Sequence, residues 1–236
     1  MKKTIGIVYA ISEIAGAACY DGIIKRLPVD TNVLVYDDPQ KEAFRQANKI
    51  IDNNEKINVI VDTLYTGIST LAEKGVDIII ISANSVHIAF EQLQLKVNAV
   101  YPNVRLLSII DAVLDACNNI HSVAILGSEG TIKSRLYHKK LAAANIQIVN
   151  LLPQEQEVIN NIISSGKIAV RDEIRNIFVR LKSIGCQSAI LACTELSLLL
   201  DVQDYCDFPY VDSNIALANY AISALELTPN GYYNYR

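Results

Sequence analysis

Cys193 is the residue in this sequence best suited to acid–base or nucleophilic chemistry. It follows the short apolar run 188–191 and precedes Thr194 and Glu195. A free cysteine is more often a buried structural residue, but this one ends a predicted strand and precedes a predicted helix. Because a helix N-terminus favours a thiolate, we expect the pKa of Cys193 to be lowered toward neutrality. The remaining cysteines lack such a setting and are predicted to be structural: Cys19, Cys117, Cys186 and Cys206.

A strand–loop–helix junction of the same shape follows the four-isoleucine run 78–81, which is typical of a strand buried on both faces. Here the strand end carries Ala83, Asn84 and Ser85. We call residues 83–87 the first corner and residues 193–196 the second corner. Polar residues at helix starts either cap the helix or bind a carboxylate, and for Asn84, Ser85 and Thr194 both interpretations stand. His87 and Glu195 lie just past the two strand ends, as ordinary helix residues or as groups that tune a nearby acid or base.

The apolar pattern predicts strands that alternate with helices. Predicted strands are 4–10, 32–36, 78–81, 106–110, 122–127, 146–151 and 188–191, and residues 209–212 repeat the theme of 106–111. Predicted helices are 12–26, 40–52, 56–74, 111–118, 132–144, 154–165, 169–184 and 214–227.

Landmarks occur twice in the same order: an opening strand, a corner loop and a closing aspartate, Asp111 or Asp212. This repetition predicts an α/β fold of two lobes with parallel sheets, related by a pseudo-two-fold axis. We assign residues 1–103 plus 207–236 to the first lobe and 104–206 to the second. Both corners then face one inter-lobe cleft, a favoured position for a small-molecule site.

Composition excludes several classes of function. A net charge of −4 without a basic cluster argues against nucleic acid and anionic membranes as partners. No apolar run is long enough to span a membrane, and three scattered histidines do not predict a metal site. The loop 127–131 has neither a Walker nor a GxGxxG pattern, so nucleotide binding is not indicated. Glu13 interrupts a signal-like N-terminal stretch, and we predict a cytoplasmic protein with free thiols.

The two corners resemble those of the aspartate/glutamate racemase superfamily, the cofactor-independent amino-acid racemases. The family's first motif, Cys-Asn-Thr-x-His, corresponds to Ala-Asn-Ser-Val-His at residues 83–87, and its second, Cys-Thr-Glu-Leu, is matched by residues 193–196. A third motif and several single positions also match: Gly127, Ser128, Thr131, Ser134, Tyr137 and Leu141, with Gly6, Ser12, Asp111 and Asp212 in register. The resemblance covers nearly the whole chain.

The resemblance implies two flavodoxin-like lobes with the active site between them, no cofactor and a homodimer. It implies that two cysteines face the Cα of an amino-acid or dicarboxylate substrate, one removing a proton and the other delivering one to the opposite face. Donors on the α-carboxylate would stabilise the carbanion. By the resemblance these are Asn84, Ser85, Thr131 and Thr194, with Ser12 nearby, and Lys167 would pair with an acidic side chain.

Ala83 departs from the family pattern, because it occupies the position of the first catalytic cysteine. A methyl group cannot titrate, so the proposed two-base machinery lacks one acid or base. Three explanations stand: an engineered change that disables a racemase, a natural single-cysteine decarboxylase or isomerase, or a dicarboxylate-binding protein without catalysis. Among these the first expectation is an impaired racemase of aspartate, glutamate or a related amino acid, with Cys193 as its remaining catalytic group.

Overall fold

Two four-stranded parallel sheets form the framework of the protein. The computed structural model describes residues 2–28, 30–39, 42–44, 53–165, 171–199 and 208–228. The first sheet has the order β2-β1-β3-β4, from β1 (Thr4–Tyr9), β2 (Asn32–Asp37), β3 (Ile78–Ile81) and β4 (Arg105–Leu106). The second has the order β6-β5-β7-β8, from β5 (Ser122–Leu126), β6 (Gln147–Ile148), β7 (Ser188–Leu191) and β8 (Tyr210–Asp212). This repeated order confirms the predicted α/β fold.

Helices cover both faces of the sheets. Those described are α1 (Glu13–Ile24), α2 (Asn53–Glu73), α3 (Phe90–Val100), α4 (Ile109–Ala116), α5 (Glu129–Lys133), α6 (His138–Ala143), α7 (Pro153–Ser165), α8 (Arg171–Ser183), α9 (Leu196–Leu199) and α10 (Ser213–Ala224), with a 3₁₀ turn at Ser85–Ala89. None of the helices in the described segments is long and apolar enough to cross a membrane.

The isoleucine run of β3 shows how the sheets are buried. Ile79 and Ile81 pack with Leu64, Leu93 and other residues of α2 and α3 in one core cluster. Ile78 and Ile80 belong to a different cluster on the opposite face, which also contains Ile190 of the second sheet and residues of α1, α4 and α10. One apolar core therefore joins the two sheets, and it holds the carboxyl ends of β3 and β7 within the same packed unit.

The structure corrects the predicted strand 106–110. Only Arg105–Leu106 pairs with β3, because Ser108 accepts hydrogen bonds from the N–H groups of Ile110 and Asp111 and starts α4. Asp212 caps α10 in the same way, accepting from Asn214 and Ile215. Ser108 is thus the structural counterpart of Asp212. The prediction that Asp111 and Asp212 occupy equivalent positions was wrong.

Other boundaries also differ from the pattern. The predicted helix 132–144 is two short helices, since Arg135 between them adopts a positive φ of 55°, and the predicted strand 146–151 pairs only at Gln147–Ile148. The helix predicted at 40–52 lies largely outside the described residues.

The strand pairing also differs from the predicted lobe boundaries. β4 belongs to the first sheet although it follows residue 103, and β8 belongs to the second sheet although 207–236 was assigned to the first lobe. Helix α10 contacts both α1 and α4, so the end of the described chain is shared between the two halves.

Candidate functional site

A cavity of about 230 Å³ lies where the carboxyl ends of the two sheets meet. Both corners line it, together with residues of α1, α5 and α7: Ile11, Ala15, Ala83, Asn84, Ser85, Ser128, Thr131, Ile163, Ala192, Cys193, Thr194 and Glu195. Two larger cavities, of about 470 and 510 Å³, lie beside Asp115 and Asn118 and include no corner residue. The smaller cavity is therefore the candidate site, since both corners line it and place the Cys193 thiol among convergent polar groups.

Cys193 follows β7 and is 8 % exposed. Its thiol donates a hydrogen bond to Oε2 of Glu195 over 3.3 Å. Burial, reinforced by the negative charge of Glu195, raises the pKa of Cys193 to about 12. The expected lowering of this pKa was wrong, because desolvation and the charge of Glu195 outweigh the backbone N–H groups of Glu195 and Leu196, which act to lower it. In the free protein at neutral pH, Cys193 is a thiol, able to donate a proton.

Ala83 lines the same cavity with its methyl group. Its carbonyl oxygen lies 2.8 Å from Nδ1 of His87. Nε2 of that ring accepts the backbone N–H of Ile109 over 3.1 Å, so Nδ1 carries the proton and donates to Ala83. His87 is also stacked on Phe90, with ring centroids 5.4 Å apart.

His87 is consequently a positioning group for the first corner. It is buried, it is not among the residues that line the cavity, and burial lowers its pKa to about 4. The nearby charges of Asp111 and Lys140 act in opposite directions on this pKa and do not reverse the effect of burial. A neutral imidazole that links Ala83 to the start of α4 fixes the end of β3.

Asn84 is buried, lines the cavity and uses both ends of its amide. Its Oδ1 accepts a hydrogen bond from the hydroxyl of Tyr137, which comes from the second half of the chain. Its Nδ2 donates to Oγ of Ser213 over 3.1 Å. Tyr137 is buried and burial raises its pKa, so it stays a hydroxyl donor. This pair of contacts fixes the orientation of the Asn84 amide and, within the described residues, leaves the second N–H of Nδ2 without a partner.

The remaining predicted binding residues fall into three groups. Ser85, Thr131 and Thr194 line the cavity, and the hydroxyl of Thr131 is 3.1 Å from that of Ser128. Ser12 caps α1 by accepting the N–H of Ala15 over 3.2 Å, and it lies beside the cavity residues Ile11 and Ala15 without lining the cavity itself. Lys167 lies outside the described residues.

Sequence reasoning missed the residues at the start of α10. Besides Ser213, which accepts from Asn84, Nδ2 of Asn214 donates to the carbonyl of Thr194 over 3.0 Å and to Oγ of Ser197 over 3.2 Å. In the sequence, three small polar residues follow an apolar strand at this point. That pattern predicts only a helix cap. Within the described segments, no group of three or more His, Cys, Asp and Glu side chains is arranged to hold a metal ion.

The buried neutral state of His87 predicts a dependence of stability on pH. Its pKa is about 4 when folded and 6.5 in its unperturbed state, so between these values the unfolded chain binds the extra proton. Stability is therefore lost as pH falls from 6.5 toward 4, by roughly 3 kcal/mol in total. Urea unfolding of the wild type and of His87→Gln across this range should show a steeper loss in the wild type. The exposed His121→Gln variant is the control, and parallel curves for wild type and His87→Gln would contradict the assignment.

The chain is similar to amino-acid racemases and to a racemase homologue. It is 27 % identical over 183 residues, 75 % of each chain, to the broad-specificity amino-acid racemase RacX of Bacillus subtilis. The structure of an aspartate racemase homologue from Pyrococcus horikoshii superposes with a TM-score of 0.78 and 26 % identity, covering 96 % of this chain and all of that one. Glutamate racemase from Francisella tularensis shares the fold, with a TM-score of 0.69 at 17 % identity over 95 % of this chain and 81 % of that one.

The family model for Asp/Glu/hydantoin racemases matches residues 11–221, which include both corners and every described residue that lines the cavity. The two parallel sheets agree with the two-lobe structures of these relatives. The chain belongs to the Asp/Glu/hydantoin racemase family.

Proposed function

We propose that this protein is a cofactor-independent amino-acid racemase framework, in which Cys193 transfers a proton at Cα and the opposite position is occupied by Ala83. The observation that carries the proposal is the cavity itself, which is lined by both corners and by the Cys193 thiol. Membership of the racemase family supports the same reaction class.

The state of Cys193 defines its part in the reaction. A protonated thiol beside a carboxylate can donate its proton to a carbanion at Cα. In the reverse direction Cys193 must first lose its proton, and Glu195 is the hydrogen-bonded acceptor. An amino-acid ammonium group bound in the cavity would favour this loss, because a nearby positive charge lowers the pKa of a thiol.

Stabilising the carbanion is the second requirement. Without an electron-sink cofactor, negative charge that develops on the α-carboxylate must be met by hydrogen-bond donors. The free N–H of Asn84 and the hydroxyls of Ser85, Thr131 and Thr194 are the proposed donors. They come from both halves of the chain, so a carboxylate held among them would sit between the two corners.

Ala83 limits the reaction to one face. Inversion requires a base on one face of Cα and an acid on the other, because a single group returns the proton to the face from which it came. Whether Ala83 is an engineered or a natural replacement, its methyl group takes no part in proton transfer. The protein as it stands is therefore proposed to exchange the Cα proton from one side and to invert the centre very slowly.

The substrate class is proposed from the family and from the cavity. Aspartate, glutamate or a related amino acid is the first expectation, with Lys167 as the partner of an acidic side chain. Among the described lining residues the charged side chain is that of Glu195, beside the apolar Ile11 and Ile163. A neutral amino acid also suits these walls, consistent with the broad specificity named for the Bacillus relative. Homodimer formation and a cytoplasmic location remain predictions.

Restoring the missing thiol is the direct test of a racemase framework. Ala83→Cys should raise the rate of inversion at Cα by at least about tenfold, because general acid–base groups contribute factors of roughly 10²–10⁴. The measurement is chiral chromatography over a panel of acidic and neutral amino acids, for both enantiomers. The matched control is Ala83→Ser, which has a similar size and a far less acidic hydroxyl. If Ala83→Cys inverts none of the panel, the racemase proposal fails.

A second candidate function is a decarboxylase that uses Cys193 alone. The specific observation in its favour is that Cys193 is protonated while the opposite position has no base. In this reaction a C–C bond of a substituted malonate breaks, CO₂ departs, and the electron pair left on Cα takes the thiol proton. The thiolate is then reprotonated from solvent.

Carbon dioxide release separates the two candidates. A decarboxylase releases CO₂ from a substituted malonate in the wild type and loses this activity in Cys193→Ala. No release across a panel of aryl and alkyl malonates would exclude the second candidate. Calorimetric binding of aspartate or glutamate without any turnover, in both the wild type and Ala83→Cys, would instead indicate a binding protein.

A further inference from the structure

The start of α10 contacts both corners of the cavity through consecutive residues. Ser213 is fully buried and accepts the hydrogen bond of Asn84 from the first corner. Asn214, the next residue, donates to the carbonyl of Thr194 in the second corner. The two loops that carry positions 83 and 193 are thus attached to adjacent residues of one helix.

We propose that Ser213 and Asn214 are positioning residues that set the separation between position 83 and Cys193 across the cavity. This inference deepens the proposed function and rests on it for its catalytic consequence, although the geometry can be measured without any activity.

Asn214 is connected to the second corner by more than one hydrogen bond. Nδ2 of Asn214 also donates to Oγ of Ser197 in α9 over 3.2 Å. Asp212 accepts the N–H groups of Asn214 and Ile215. The second corner and the helix that follows it are therefore both attached to the capping residues of α10.

The side-chain oxygen of Asn214 supports a positioning role for this residue. In the described part of the chain, Oδ1 of Asn214 is buried without a hydrogen-bond partner. A buried acceptor left unpaired costs roughly 1–3 kcal/mol, so this side chain is poorly explained by stability alone. Its two donated bonds explain its position, since both lead to the loop and helix that follow β7.

The first corner is also held by a residue from the second half of the chain. Tyr137 donates to Oδ1 of Asn84 while Ser213 accepts from Nδ2, so the first corner is held from two directions. Helix α10 itself packs against α1 and α4, within the core that joins the two sheets. The start of α10 therefore provides a rigid base for both corners, and precise spacing of reacting groups is worth large factors in rate.

The experiment measures thiol separation in the Ala83→Cys background. A short bis-electrophile such as dibromobimane should bridge the introduced thiol and Cys193, as identified by peptide mass spectrometry. Adding Ser213→Ala or Asn214→Ala should lower the yield of this bridge several-fold while single alkylation of Cys193 is retained. The control is Ser223→Ala, an exposed serine at the other end of α10, which should leave the yield unchanged. Ser213→Thr, which keeps the hydroxyl, should restore it.

A kinetic readout in the same variants tests the catalytic consequence. The ratio of inversion to Cα deuterium exchange should fall by about tenfold in Ser213→Ala or Asn214→Ala, because inversion needs both corners in register and exchange needs one. This ratio does not depend on the fraction of folded protein.

The outcomes separate the two proposals. Bridging that equals the Ser223→Ala control in both variants would overturn the inference, whatever the kinetics show. Bridging that falls as expected, in a background that inverts no amino acid, would support the positioning role and reject the racemase proposal. If one variant fails to fold, the other still tests the hydrogen bond between its own residue and one corner.

Discussion

The polar groups at the ends of β3 and β7 are buried, and burial obliges each of them to find a hydrogen-bond partner. The partners found are specific: His87 for the carbonyl of Ala83, Tyr137 and Ser213 for Asn84, and Asn214 for the carbonyl of Thr194. These bonds hold two irregular loops in fixed positions on either side of one cavity. The chemistry proposed for the site depends on that rigidity.

The same burial explains the state of Cys193. Removal from water favours the neutral thiol, and the carboxylate of Glu195 disfavours the thiolate further. In the proposed mechanism a thiol in this state donates a proton, and the positive charge of a bound substrate favours its conversion to a base. The proposed mechanism thus couples proton transfer to the binding of substrate. Ala83, on the other corner, has no titratable group, and we therefore propose that proton transfer takes place on one face only.

Sequence reasoning reached the fold because the strands are strongly apolar and recur in a fixed order. The four isoleucines of β3 and the run before Cys193 are buried on both faces, and such strands are readable from composition. It failed where a local hydrogen bond decides the structure. Residues 106–110 are leucine and isoleucine apart from Ser108, a composition apolar enough for a strand, but Ser108 starts a helix instead. The break at Arg135 depends on a positive φ that the sequence pattern does not reveal.

The site was predictable to a similar extent. Motif positions at the two corners identify residues that do line one cavity, since the carboxyl ends of parallel strands converge. The pKa of Cys193 was predicted in the wrong direction because the depth of burial is a property of the whole fold. Ser213 and Asn214 were missed because their partners are 129 and 20 residues away in sequence.

The central claim is that Cys193 transfers a proton at Cα from one side of the cavity. The most direct measurement is NMR of amino-acid enantiomers incubated with the unmodified protein in D₂O, with Cys193→Ala in parallel. The account predicts that deuterium enters Cα of one enantiomer with retention of configuration, and that Cys193→Ala abolishes this exchange. Exchange into both enantiomers at equal rates, or exchange that survives in Cys193→Ala, would contradict it.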